Sequence, residues 1–137
     1  MKLVKTLVAA ALGTLLAAGH AMADIRIGVS LPLSGPASGL GIPMGNYIKL
    51  WPTSIAGEKL VVTVLDDATD PTKGVQNAKK FVEEKADIIM GSAATPVAIA
   101  MADTAAEART VQLMFSPAVL PAGKDAWAFR LPQGNAV

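Results

Sequence analysis

The chain contains no cysteine and only one histidine, His20. The first absence excludes a disulfide framework and a lipid anchor on an N-terminal cysteine. The second matters because His20 lies in a leader-like stretch, so everything after it has neither thiolate nor imidazole. Ser-His-Asp and Cys-His catalysis are thereby excluded from that segment, as are thiolate or imidazole zinc sites. A basic face is missing too: the positive residues are scattered, and Lys79-Lys80 share a helical pattern with Glu83 and Glu84, so nucleic acid is not an expected partner. No Gly-Lys-Ser or Gly-Lys-Thr occurs, and Gly39-x-Gly41 is followed by Met44 where a dinucleotide fingerprint wants its third glycine. Ser34 and Ser38 have no base nearby and no G-x-S-x-G frame. No cofactor and no nucleophile are expected.

The first 23 residues read as a secretory signal. Lys2 and Lys5 form a positive start, Leu7 to Ala18 is apolar and uncharged, and Ala21-Met22-Ala23 has the small-x-small form of a cleavage site. The apolar run is about a dozen residues, short of the roughly 20 that span a bilayer, so a soluble product without a direct membrane anchor is expected, beginning at Asp24. Of the 12 basic residues, removal of Lys2 and Lys5 leaves ten against 11 acidic ones, a formal charge of −1 on 114 residues. That is one domain's worth of chain.

Apolar periodicity then predicts alternating elements. Ile25 to Leu31 alternates and is rich in β-branched residues, a strand ending at Pro32. Leu33 to Ile42 reads as a glycine-rich loop, with Pro43 opening a helix whose core face is Met44, Tyr47, Ile48 and Trp51. Pro52 ends that element. Lys59 to Asp66 is nearly continuously apolar, as a buried parallel strand would be. Asp66, Asp67 and Asp70 lack the further ligands and closing Glu of a calcium loop. Asp70 reads instead as the N-cap of a helix over about 71–85, burying Val75, Ala78, Phe81 and Val82, with exposed pairs Lys79–Glu83 and Lys80–Glu84. A strand over 86–90 leads to Gly91-Ser92-Ala93-Ala94-Thr95-Pro96, read as a tight loop with Thr95 as N-cap and Pro96 in the first turn of a helix reaching about Arg109. Strands over 111–115 and near 127–131 complete the series.

Strands alternating with helices through such short connections predict an α/β fold, a doubly wound parallel sheet, with ligands outside the carboxyl ends of the strands. The strand-end loops offer hydroxyls and backbone amides: Ser34 and Ser38, Ser92 and Thr95, Ser116 and the Ala118 amide. Such groups orient a small anion or zwitterion without reacting with it. The amide cluster and dipole at the start of the helix after Gly91 suit a carboxylate or phosphate, although most helix caps bind nothing and, on local sequence alone, Thr95 and Pro96 read first as a structural cap.

The leader, Ile25-Arg26-Ile27-Gly28 with Ser34-Gly35-Pro36, Asp66-Asp67 with Asp70-Pro71, Met90-Gly91-Ser92 and Phe115-Ser116-Pro117-Ala118 together resemble the amino-terminal lobe of periplasmic substrate-binding proteins of the branched-chain amino acid class, the type I binding proteins of ABC importers. The resemblance implies a signal peptide over 1–23, a ligand-binding lobe over 24–130, and the start of a first hinge crossing over 131–137, the chain being truncated before the second lobe. It implies a periplasmic, non-catalytic receptor whose partners are a small carboxylate or amino acid and the membrane permease of an importer. By resemblance, Thr95 takes the place of a hydroxyl that binds the ligand carboxylate, and Ala118 that of a residue contributing its backbone. Leu120 stands where amino-acid binders carry a hydroxyl, and Leu40 where some carry an aromatic ring. The expected ligand-binding set is therefore Ser38, Leu40, Ser92, Thr95, Ser116, Ala118 and Leu120, with no metal and no catalytic residue. The two leucines leave open an aromatic or other organic acid as cargo. An exported α/β enzyme with its acid-base residues elsewhere, or the sensor domain of a receptor, are the alternatives of other classes.

Overall fold

The computed structural model describes residues 24–132; the expected signal peptide over 1–23 and the expected hinge residues 133–137 lie outside them. The elements run β1 (Ile25–Leu31), α1 (Ser38–Ile48), β2 (Ser54–Ile55), β3 (Glu58–Asp66), α2 (Pro71–Glu83), β4 (Ile88–Met90), α3 (Thr95–Glu107), β5 (Val111–Met114) and β6 (Ala128–Arg130). They form one sheet in the order β2-β3-β1-β4-β5-β6. All neighbouring pairs are parallel except the two-residue β2, which runs antiparallel to β3. The chain moves outward from β1 to β3, then crosses back to β4 on the other side. The order thus reverses at β1, giving a switch point between the carboxyl ends of β1 and β4, where doubly wound sheets bind ligands.

Helices cover the two faces unequally. On one face α2 and α3 pack together, with Ala78, Phe81, Ile89, Val97, Met101 and Ala105 fully buried between them and the sheet. A second cluster, Ala98, Ala102, Met114, Ala118 and Ala128, continues this layer toward β6. Burial of Phe81, Ile89 and Met101 alone is worth several kcal/mol, at about 1.5–3 kcal/mol per large apolar side chain. The other face carries α1, whose Ile48 packs with Val29 and Leu31.

Four readings are corrected. The first helix begins at Ser38, five residues before Pro43, which lies inside it. The glycines that suggested a loop serve close approach: a Cβ on Gly41 would stand 2.2 Å from the Pro32 carbonyl oxygen. Tyr47, expected in the core, is 65% exposed because α1 covers only part of its face. Thr95 is not an N-cap: Ala94 holds that place, and the helix has no side-chain cap. Of the two expected surface pairs, Lys80–Glu84 stands at 3.6 Å, and Lys79–Glu83 is not among the ion pairs of the described residues.

Candidate functional site

Four loops leave the carboxyl ends of β1, β3, β4 and β5, and two of them contrast. In the β3–α2 loop every carboxylate is engaged by its own surroundings. Asp66 accepts from the amides of Leu33 (2.8 Å), Ser34 (3.1 Å) and Ala68 (2.8 Å) and from the Ser34 hydroxyl. Partial burial pushes the Asp66 carboxyl upward, but the hydrogen bonds from the Ser34 hydroxyl and these amides outweigh it and hold the pKa below its ordinary value. Asp67 is fully buried, accepting from the Ser30 hydroxyl at 3.0 Å and the Thr69 amide at 3.0 Å. Asn77 donates to the Ser30 hydroxyl oxygen (3.1 Å) and the Asp66 carbonyl (3.3 Å), closing the network. Asp70 accepts from the Thr72 amide at 2.7 Å, the expected cap of α2. Thr69 extends the tie by accepting from the Ala37 amide (3.1 Å) just before α1. No group of three or more metal-ligating side chains occurs among the described residues.

The β4–α3 loop is built differently. Gly91 has φ +106°, and a Cβ there would lie 2.0 Å from the Ser30 carbonyl oxygen, so only glycine fits. Its amide donates to the Leu113 carbonyl at 2.8 Å, binding the loop to β5. The Ser92 hydroxyl is fully buried and accepts from the Ala94 amide at 3.1 Å, which makes it a turn former. Thr95 follows as the first residue of α3, half-buried, with its hydroxyl in no hydrogen bond among the described residues. Beyond the neighbouring strand, the Ser116 hydroxyl is buried and also has no partner. Buried polar atoms are ordinarily paired; the side-chain oxygens Glu58 Oε2 and Gln112 Oε1 share this unpaired condition.

The remaining expected residues are spread out. Ser38 and Leu40 belong to the first turn of α1, Ser38 half-buried and Leu40 58% exposed. Ala118 is buried against α3 and Leu120 packs on the same cluster. Both also line a groove of about 400 Å³ with Asp125 and Arg130 at its edge. Thr95, Ser92 and Ser116 do not line that groove. The structure therefore gathers Ser92, Thr95 and Ser116 at adjoining strand ends, and places Leu120 on the core side.

One contributor escaped the sequence reading. Gln112 on β5 is fully buried, and its amide nitrogen donates to the carbonyls of Gly91 and Ala98, both at 3.0 Å. It pins the Gly91 loop and the first turn of α3 to the sheet. The signal available was a polar residue inside the apolar run Val111-Gln112-Leu113-Met114.

Residues 24–135 match the family described as periplasmic binding protein. The chain is 36% identical over 109 residues to the Leu/Ile/Val-binding protein BraC3 of Rhizobium johnstonii, covering 75% of this chain and 30% of that protein. Among solved structures, a Rhodopseudomonas palustris (strain CGA009) protein is 39% identical with a TM-score of 0.77, covering 81% of this chain and 31% of that one. An extracellular ligand-binding receptor from Rhodopseudomonas palustris HaA2 is 36% identical with a TM-score of 0.78, covering 82% and 32%. The chain thus spans about a third or less of the length of these relatives. No helix among the described residues is long and apolar enough to cross a membrane. With a doubly wound lobe and a family match that spans all the described residues, the chain belongs to the periplasmic binding protein family.

Proposed function

We propose that this chain forms the ligand-docking lobe of a solute-binding protein serving an ABC importer, and that it docks the carboxylate of a small apolar amino acid. The observation that carries this reading is Thr95: it opens α3 at the positive end of the helix, half-buried, with its hydroxyl in no hydrogen bond among the described residues. The unpaired Ser116 hydroxyl supplies a second polar contact. Nothing in this set supplies a nucleophile with a base, so the role is capture and release rather than turnover. The family is one of solute-binding proteins, and the name of the Rhizobium relative supports a branched-chain amino acid.

A second cargo is favoured by the two leucines. Neither the exposed Leu40 nor Leu120, packed on its cluster, offers a polar partner to an α-ammonium group, which suits an aromatic or other organic acid. The stretch supplies one wall of a cleft, so the chain by itself binds weakly; an opposing wall brought in by hinge closure would add contacts and exclude water. The periplasm is the compartment and the importer's permease the partner in this proposal. Calorimetric titration of leucine and of benzoate into the 137-residue chain is expected to give no binding at micromolar concentration. Micromolar affinity for either would refute the half-cleft reading, and conversion of either ligand would refute the receptor reading.

A further inference from the structure

Gln112 is the polar exception in β5, fully buried between Val111 and Leu113. Its main chain is held from both sides, in register with Ile89 of β4 and Ala128 of β6, and its backbone amide donates to the Trp127 carbonyl at 2.7 Å. From this fixed base the side-chain nitrogen donates to the Gly91 carbonyl and to the Ala98 carbonyl, both at 3.0 Å. Carbonyl oxygens only accept, so these two partners settle which way the carboxamide is turned. The atom on its other side, Oε1, is buried with no partner among the described residues. An unpaired buried acceptor costs stability, so an apolar side chain would suit the core better at this place. What the carboxamide supplies instead is the pair of bonds to Gly91 and Ala98.

Those two carbonyls bracket the segment that carries Thr95. Gly91 directly follows β4, Ala98 closes the first turn of α3, and Thr95 lies between them. Inside the bracket the segment is tied only to itself, through the Ala94 amide on the Ser92 hydroxyl at 3.1 Å and the Ala98 amide on the Ala94 carbonyl at 3.0 Å. We infer that Gln112 is the positioning residue of the docking site: one side chain on β5 holds both ends of the 91–98 segment and so sets where the Thr95 hydroxyl stands. This rests on the docking role proposed for Thr95, and it names the residue that holds that hydroxyl in place. Gln112 is fully buried, so it acts through the segment and not by touching cargo. An ionised glutamate of the same shape has no proton for either carbonyl. A methionine fills nearly the same volume and leaves both carbonyls without the side-chain donor.

The test compares the 137-residue chain with Gln112→Met by site-resolved amide hydrogen exchange. The hydrogen-bonded amides of Gly91, Ala94 and Ala98 report on the segment, and those of Ala78 and Phe81, buried in α2, report on the whole fold. The expected result is a rise in exchange rate about ten-fold larger at the three segment amides than at the two in α2, which follow global stability. An equal rise in both sets would make Gln112 a scaffold residue and overturn the inference. If Gln112→Met does not fold, the parent chain decides. Its Gln112 side-chain protons are then expected to become exchangeable in the same opening as the amides of Gly91, Ala94 and Ala98; side-chain protons that exchange while those amides stay protected would overturn the inference. A second arm titrates sodium acetate at millimolar concentration and follows the amide shifts of residues 92–97. Where the parent saturates, Gln112→Met is expected to bind about ten-fold more weakly, and equal affinity overturns the inference. A parent that does not respond to acetate refutes the docking reading alone, because the exchange arm is read without ligand.

Discussion

The two loops that follow β3 and β4 flank the same strand and resemble each other in neither composition nor use. The Asp66–Asp70 loop is rich in charge, and each of its carboxylates is consumed by local donors. The Gly91–Thr95 loop has no charge at all, and it is the one that brings an uncommitted hydroxyl to the switch point. The difference is one of availability: charge in the first loop is spent on its own backbone, whereas the hydroxyl in the second is left to the docking role proposed for it. A carboxylate buried among amides is part of the scaffold.

The contrast can be broken most severely at Gly91. Gly91→Ala places a Cβ against the Ser30 carbonyl at a φ that L-residues avoid, and is expected to cost about 4 kcal/mol in denaturant unfolding. A cost below about 1 kcal/mol would show that the loop relaxes freely. Asp67→Ala comes next, at about 3 kcal/mol, since it leaves the Thr69 amide without a partner and the buried Ser30 O–H without its acceptor. Were the same loop a ligand site, the loss would fall on binding, with stability nearly unchanged.

Asp66 sharpens the same point through pH. Its pKa is lowered in the fold, so its hydrogen bonds contribute fully above the ordinary carboxylate pKa of 3.8 and are lost as pH falls through the lower folded value. A stability profile should therefore decline more steeply below pH 3.8 in the parent than in Asp66→Asn. The difference is small, because the residue is exposed. The smallest effect belongs to the other loop's neighbour. Ser116→Ala removes a buried hydroxyl without a partner, and is expected to leave stability within about 1 kcal/mol of the parent or raise it. A larger loss would place Ser116 in the scaffold with Asp67.

Much of this organisation was legible in the residues. Alternation in Ile25 to Leu31 and the helical stripe of Ala78 and Phe81 yielded the correct elements, because each needs only local periodicity. The Asp70 cap was equally local. Helix α1 was not legible in full, since Gly41 is there for the Pro32 carbonyl, a neighbour set by the tertiary fold. Thr95 was misplaced by one position because Thr-Pro reads as a cap pair, whereas the extended residue is Ala94. The tie from Gln112 to Gly91 and Ala98 joins residues 14 and 21 positions apart, beyond any local pattern. The exposure of Tyr47 reflects an open sheet face, and helical periodicity marks an apolar side without saying what covers it.

The central claim is that Thr95 docks cargo and does not cap its helix. It is tested by titrating leucine and benzoate into a single polypeptide in which this chain is continued by the part of the Rhodopseudomonas palustris CGA009 protein outside the aligned region, with and without Thr95→Val, and comparing dissociation constants alongside melting temperatures. The account predicts affinity at least ten-fold weaker, about 1.4 kcal/mol, for the ligand that the parent binds, with the melting temperature unchanged. Equal affinity in both proteins, or a loss of stability of about 1 kcal/mol as for a broken cap, would contradict it.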